Sequence, residues 1–386
     1  MMKKNVKKMR TVFFITNTFN IGGAETQLLM LSEELINRGW SVTVFSFECV
    51  EGISSRFVSA GVRVFFGSYD SRTGRLRSVL GVFVSVVRLA WLLGLNRPRI
   101  VQGILPLPSL VASVVGKLLF LPKVIISRRA LGTHQDRRWI WKYLDRLSSM
   151  AADVVVVNSN AVFKDVINRE HLDERKIRLI YNGVYLEKVT VGSHREDVRS
   201  RLNISKNEIA IVYVANLIEY KGHADLLRAF LGVSKKLDFV RLILIGEDRG
   251  IMADLAAFVE QEKLNKKVLF LGQRKDVSEI LTGMDVGVMA SHEEGFSNAL
   301  LEKLGAGLPI VATDVGGNRE ALDGLPSCYI VPPKAIPDLE IALLKVSEDV
   351  LRNENGSKVR QDSITKRFSV NAMVSSYERL FNERKK

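Results

Sequence analysis

The chain has 386 residues, 47% hydrophobic and 25% charged, with a formal net charge of +14. That length exceeds one ordinary domain, and the composition excludes a disordered or collagen-like chain. Two distant cysteines, Cys49 and Cys328, exclude a disulfide framework and a CxxC zinc site and fit a reducing cytosol.

The basic start, Met1 to Arg10, is followed by a seven-residue strand-like stretch and polar Thr18, Asn20 and Glu25. It reads as a basic tail before a core strand, not as an export signal. Strands are expected at Thr11–Asn17, Ser41–Phe47, Val62–Phe66, Ile100–Gly103, Lys123–Ser127, Asp153–Asn158 and Ile177–Tyr181. Amphipathic stretches lie between them, such as Ala24–Arg38, which stops at Gly39, a natural helix-ending residue. Alternation of this kind predicts a parallel, doubly wound sheet.

Ser78–Leu95 is almost wholly apolar but carries Arg88 at its middle. A charge there is costly in a bilayer ~30 Å thick, so the stretch reads as a buried helix over the first sheet. Shallow insertion into a membrane face is the other reading. Arg137–Arg146 mixes cations with Trp139, Trp141 and Tyr143. It is either an interfacial helix or a surface helix with its aromatics turned inward.

After a polar linker at Val189–Asn203 the alternation restarts. Strands are expected at Ile209–Val214, Val240–Ile245, Lys267–Leu271, Val286–Ala290, Ile310–Thr313 and Cys328–Val331. The fold class is therefore α/β with two Rossmann-like domains, 1–192 and 193–368, facing a central cleft. The last helical stretch, within 369–386, is expected to return to the first domain. Charge is unevenly divided. Residues 1–195 hold 29 Lys and Arg against 14 Asp and Glu, while residues 196–386 hold 27 against 28. The first domain thus favours an anionic partner: lipid head groups, a phosphorylated acceptor or nucleic acid.

The chemistry concentrates in His292-Glu293-Glu294-Gly295-Phe296-Ser297-Asn298-Ala299-Leu300-Leu301-Glu302. Glu294 would sit on a loop after a strand, and Glu302 two turns into the following helix. The amides around Ser297 to Leu300 would form an anion site at that helix start. Solvated carboxylates at a helix start are the plainer alternative.

Glu294, Gly295-Phe296, Glu302 and the later Gly305–Gly317 stretch resemble the E-x7-E region of glycosyltransferase family four, whose members are retaining enzymes of GT-B fold. Further pieces follow in the same order: Gly22-Gly23-Ala24-Glu25, Asn158-Ser159, Tyr181-Asn182-Gly183-Val184, Ala215 to His223 with Lys221-Gly222, and Phe270-Leu271-Gly272. The resemblance runs from about residue 12 to the last helix. It implies that Glu294 contacts the transferred sugar and Glu302 the ribose, with Phe296, Ser297 and Asn298 contributing mostly backbone contacts.

By the needs of the chemistry, Lys221 offsets leaving-group charge, facing Glu294 across a gap wide enough for a sugar diphosphate. Gly22 and Gly23 let their amides approach the phosphates or the anomeric centre. Gly272 and Arg274 line a base pocket, although Arg274 is equally well placed as a surface residue. Asn216 stands where many relatives carry an arginine. After Ser127 come Arg128 and Arg129, with His134 further on, where relatives place a histidine. These three are the candidate acceptor ligands, with simple surface exposure as the alternative.

No metal is expected, since Asp-x-Asp is absent and the lysine and helix amides carry positive charge. No cofactor is expected beyond the nucleotide-sugar donor. A dehydrogenase or P-loop enzyme would show G-x-G-x-x-G or G-x4-G-K-[ST], and neither occurs. A nucleic-acid module lacks any supporting motif; a non-catalytic membrane-docking homologue is opposed by Glu294, Lys221 and Glu302. The expected activity is transfer of a hexose or N-acetylhexosamine, with UDP preferred on family frequency, to a lipid-linked acceptor in surface polysaccharide assembly. The expected location is the cytoplasmic face of a membrane with an anionic surface.

Overall fold

The computed structural model describes residues 10–20, 22–72, 74–132, 139–185, 195–353 and 356–383. His134, a candidate acceptor ligand, lies outside them, as do Arg137 and Arg138. The chain divides into two units. One runs up to Gly183 and resumes at Val370; the other is Val184–Ser369. The division thus falls before the segment the sequence suggests as linker. Within that segment, a short helix Arg195–Arg201 is tied into the second unit by Arg199, which donates to Asp285 at 2.9 Å.

The first unit holds seven strands: β1 Thr11–Thr16, β2 Ser41–Glu48, β3 Arg63–Tyr69, β4 Ile100–Ile104, β5 Val124–Arg128, β6 Val154–Val157 and β7 Ile177–Leu179. All pair in parallel, in the order β3-β2-β1-β4-β5-β6-β7. Parallel pairing demands crossovers, which the intervening helices supply. The central strands are apolar on both faces because helices cover both, and all four residues of β6 are buried.

The second unit repeats the plan with six strands: β8 Ile209–Val214, β9 Val240–Ile245, β10 Val268–Phe270, β11 Val286–Met289, β12 Ile310–Thr313 and β13 Cys328–Val331. Their order is β10-β9-β8-β11-β12-β13, again all parallel. In each sheet the winding reverses beside its first strand, between β1 and β4 and between β8 and β11. Loops leaving the carboxyl ends of such strands diverge and open a crevice, where doubly wound sheets take their ligands.

The C-terminal helix Val370–Asn382 packs on the first unit. Glu378 accepts from Trp40 Nε1 at 2.9 Å and from Arg38 at 2.8 Å. Lys123 donates to the carbonyls of Leu380 and Glu383 at the end of this helix, and burial lowers its pKa. Tyr377 and Phe381 are buried in the same contact.

The apolar stretch at 78–95 forms the helix Arg75–Asn96, but only one of its faces is buried. Leu89, Leu92 and Leu93 join the core over β1, β2 and β4, while a second apolar face is exposed. The expectation of a buried helix is corrected accordingly. The sequence carries apolar residues around almost the whole circumference, whereas a sheet shields only one side of a helix.

Candidate functional site

The loops leaving β8 and β11, the two strands flanking the reversal in the second sheet, meet through their side chains. Lys221 Nζ lies 2.6 Å from Glu294 Oε1, with the two side chains 18% and 11% exposed. The gap expected between them is therefore closed. They are opposite charges, both largely shielded from water, and they pair directly.

The same carboxylate oxygen accepts from Ser291 Oγ at 2.8 Å. Ser291 in turn shares a 3.1 Å hydrogen bond with the Tyr213 hydroxyl at the end of β8. Tyr213 donates to the Lys221 carbonyl at 2.6 Å. One hydroxyl thus holds both loops. Tyr213 is fully buried, and burial raises its phenol pKa, so it stays a neutral donor.

Two further contacts fix the β8 loop against the β11 loop. The His292 amide donates to the Tyr220 carbonyl at 2.7 Å, and its Nε2 lies 2.7 Å from Asp225 Oδ2. Gly222 caps the helix His223–Lys236 with φ +69°. A Cβ there would lie 2.1 Å from the Ala290 carbonyl oxygen, so only glycine satisfies both the dihedral and the approach.

The helix Asn298–Gly305 starts immediately after the Glu294 loop, with the Ser297 hydroxyl accepting from the Leu300 amide at 3.3 Å. Glu302 lies within it, partly buried, and burial raises its carboxyl pKa. Phe296 points into the core, 5% exposed, with its ring 5.3 Å from that of Phe368. Its side chain supports the loop. The Gly316-Gly317 pair presses on the same loop. Gly316 has φ +53° and a Cβ there would lie 2.3 Å from the Glu294 carbonyl oxygen, while the Gly317 amide donates to Gly295 at 2.8 Å.

At the neighbouring strand ends, Asn216 Oδ1 accepts from the Glu247 amide at 3.3 Å. Gly272, with φ +64°, accepts from the Gly246 amide at 2.9 Å. Arg274 is held by Asp276 on its own loop at 2.6 Å and 41% exposed, matching the surface alternative in geometry.

The first unit has its own cluster at the carboxyl ends of its strands. Gly22 caps the helix Gly23–Asn37, and Gly23 is exposed at its first position. Glu25 is buried, which raises its pKa, with the Arg129 charge acting in the opposite sense. Arg129 donates to Asn182 Oδ1 at 3.2 Å and its carbonyl accepts from Asn158 Nδ2 at 3.2 Å. The glycine loop, Asn158, Asn182 and Arg129, distant in sequence, are thereby gathered. The Arg129 Nε is buried with no hydrogen-bond partner among the described residues.

Arg128 is a correction. Its side chain points under the helices, where Nε donates to Glu170 at 3.0 Å and Nη2 to Ser148 at 2.8 Å. Asp145 lies 3.2 Å away. Strand alternation sends Arg128 to the core face with Val124 and Ile126, so it is a buried structural cation and is not placed to take an acceptor.

Sequence reasoning missed Tyr213, Ser291, the His292–Asp225 pair and Lys303. Ser291 adjoins the His292–Glu294 run and was within reach. Lys303 follows Glu302 but is fully buried, donating to the Val288 carbonyl at 3.0 Å, with its pKa pushed down to about 7 by burial. Nothing in the spacing marks it.

Comparison with known proteins bears on this arrangement. The family model "Glycosyltransferase Family 4" matches residues 21–188, and "Glycosyl transferases group 1" matches residues 208–349.

The chain belongs to glycosyltransferase family 4.

The two matches cover both units of this family 4 chain, including the glycine loop and the Lys221 and Glu294 loops. It is 23% identical over 370 residues to the Escherichia coli UDP-Gal:alpha-D-GlcNAc-diphosphoundecaprenol alpha-1,3-galactosyltransferase, covering 94% of each chain. It is 28% identical over 244 residues to the Bacillus anthracis N-acetyl-alpha-D-glucosaminyl L-malate synthase, spanning 62% of this chain and 61% of that relative. Its fold is that of Anabaena HepE, solved in complex with UDP, at TM-score 0.82 and 19% identity over 96% of this chain and 99% of that one. The fold is GT-B.

Proposed function

We propose that this family 4 glycosyltransferase moves a hexose or N-acetylhexosamine from a UDP-sugar to a saccharide carried on a lipid, in assembly of a surface polysaccharide. The observation that carries the donor half is the Lys221–Glu294 pair at the reversal of the second sheet, beside the start of the helix Asn298–Gly305. That placement brings an ammonium, the backbone amides of a helix start and a carboxylate together, the set a sugar diphosphate needs. The acceptor half is supported by the E. coli relative, whose name specifies a diphosphoundecaprenol-linked sugar.

In this reading Lys221 leaves Glu294 for the diphosphate and offsets the charge that builds as the bond from anomeric carbon to phosphate oxygen breaks. The amides at Ser297 and Asn298 take the phosphates, Glu302 accepts the ribose hydroxyls, and Gly272 lies beside the base with Asn216 nearby. Glu294, released from the lysine but still held by Ser291, turns to the sugar hydroxyls. In the first unit, Gly22, Gly23 and Arg129 are the residues this reading assigns a part in transfer. The acceptor oxygen bonds to the anomeric carbon on the face the diphosphate leaves, its proton passes to the departing phosphate oxygen, and configuration is retained. Lys221 and the helix amides fill the electrostatic role a divalent ion plays elsewhere, so no metal is required.

The test is a screen of nucleotide sugars by thermal shift, followed by product analysis. A UDP-sugar should stabilise the protein, and the product anomer should match the donor. Indifference to every UDP- and GDP-sugar removes the donor assignment, and an isolated covalent glycosyl–enzyme adduct removes the front-face route.

A further inference from the structure

The helix Arg75–Asn96 turns a continuous apolar stripe outward, opposite the face that packs on the sheet. Leu76, Leu80, Phe83, Val87, Trp91 and Leu95 recur at helical spacing and are 54–85% exposed. The stripe does not stop there. The neighbouring helix Pro106–Leu118 touches this one, and at its end Leu118 and Phe120 are 71% and 87% exposed. On its other side it packs against the helix Trp139–Ala151, where Ile140, Tyr143, Leu147 and Met150 form a second outward stripe. Three adjacent helices of one layer thus leave large apolar side chains in water, well beyond the scattered exposure normal on a soluble surface.

The charges around these stripes have one sign. Arg77, Arg88, Arg97, Lys142 and Arg146 are exposed. No Asp or Glu occurs in Arg75–Asn96 or Pro106–Leu118. The third helix has only Asp145, which is buried against Arg128. At the rim, Asp70 is paired with Arg72 and Asp153 with Lys117.

We infer that the outer face of these three helices docks on an anionic phospholipid bilayer, its apolar side chains inserted below the head groups and its cations among the phosphates. A surface combining apolar anchors with an unbalanced cationic rim matches the chemistry of that interface. A symmetric pairing with a second copy would set the same cations against each other. The first helix lies along the bilayer and does not cross it. Gly81 packs so tightly on the β3 end that a Cβ would lie 2.6 Å from the Ser68 carbonyl oxygen, and Leu89, Leu92 and Leu93 are locked in the core. Arg88, exposed midway along the helix, reaches up to the head groups. The surface extends the lipid-linked acceptor reading by naming where the membrane is met.

The experiment is co-sedimentation of the full chain with vesicles of phosphatidylglycerol and phosphatidylcholine, against phosphatidylcholine alone. Binding to the anionic vesicles that weakens with salt is expected. Phe83→Glu with Trp91→Glu should reduce it at least about tenfold, and Arg77→Ala or Arg146→Ala about fivefold each. Brominated lipids should quench fluorescence in the wild type, and much less in Trp91→Phe. Leu118→Glu with Phe120→Glu provides an independent pair should the first fold poorly by circular dichroism. UDP stabilisation, measured on the same variants, should be unchanged, so that failure of docking and failure of the donor reading are distinguished. The inference is overturned if the wild type ignores anionic vesicles or if both pairs of variants bind as it does. It is also overturned if the variants convert a dimer to a monomer with vesicle binding intact.

Discussion

Replacing Gly222 by alanine tests the junction between the β8 and β11 loops. Two costs add at this position. The residue has φ +69°, where an L side chain costs about 1–2 kcal/mol. Its Cβ would also lie 2.1 Å from the Ala290 carbonyl oxygen, and 3.0 Å from the carbonyl carbon. Backbone, unlike a flexible side-chain tip, yields only by moving the end of β11, and overpacking of this kind costs about 1–3 kcal/mol. The sum is about 2–5 kcal/mol. Gly324 is the control: it has φ +71° in the same unit with nothing within 4 Å of its Cβ position, so Gly324→Ala should show only the first cost.

All four tryptophans, Trp40, Trp91, Trp139 and Trp141, belong to the first unit, so their fluorescence is a poor reporter on this one. Amide hydrogen exchange of β11 peptides reads the second unit directly. There Gly222→Ala should exchange about 5- to 140-fold faster than Gly324→Ala, the second cost of about 1–3 kcal/mol converted at about 1.4 kcal/mol per factor of ten. Equal exchange in the two variants would falsify the claim that the glycine is needed for close approach.

The Lys221–Glu294 contact predicts a coupling of about 1–3 kcal/mol in a double-mutant cycle of Lys221→Met and Glu294→Gln, read by the same exchange; additivity would mean the pair is incidental. Lys303→Met removes a buried amine whose pKa falls from 10.5 to about 7 on folding. Between those values the unfolded chain binds the proton more readily, so wild-type stability rises with pH from about 7 to about 10.5. The advantage of Lys303→Met should therefore shrink across that window, by at most about 1.4 kcal/mol per pH unit, and a pH-independent difference would contradict the buried, neutralised amine. Arg128→Ala leaves Asp145 and Glu170 buried without their cation and should cost about 3–5 kcal/mol in the first unit by urea denaturation, against about 1 kcal/mol for Arg129→Ala. Equal costs would return Arg128 to the surface.

The strands were legible because each is a short β-branched or aromatic run bounded by turn residues, and buried parallel strands have few other ways to be written. Ile209–Val214, Val240–Ile245, Ile310–Thr313 and Cys328–Val331 carry the same bounds in sequence and structure. The Glu294 loop was legible from its charge placement, whereas Lys221-Gly222 was marked only by the family resemblance and its turn by the structure. Arg128 was misplaced because adjacent arginines look alike in a string, whereas alternation at a strand end sends one inward and leaves the other at the rim. The helix Arg75–Asn96 was misjudged for a related reason. Composition counts apolar residues but not how much of a helix a sheet can cover. Tyr213 and Lys303 were invisible because their roles come from partners brought close by sheet order alone.

The central claim is that the Lys221 and Glu294 loops, with Glu302, form a nucleotide-sugar site. Calorimetric titration of UDP into the wild-type chain and into Lys221→Ala and Glu302→Ala measures this most directly. Binding by the wild type, weakened about tenfold or more in each variant with the fold intact by circular dichroism, is the predicted result. Unaltered affinity in both variants would contradict it.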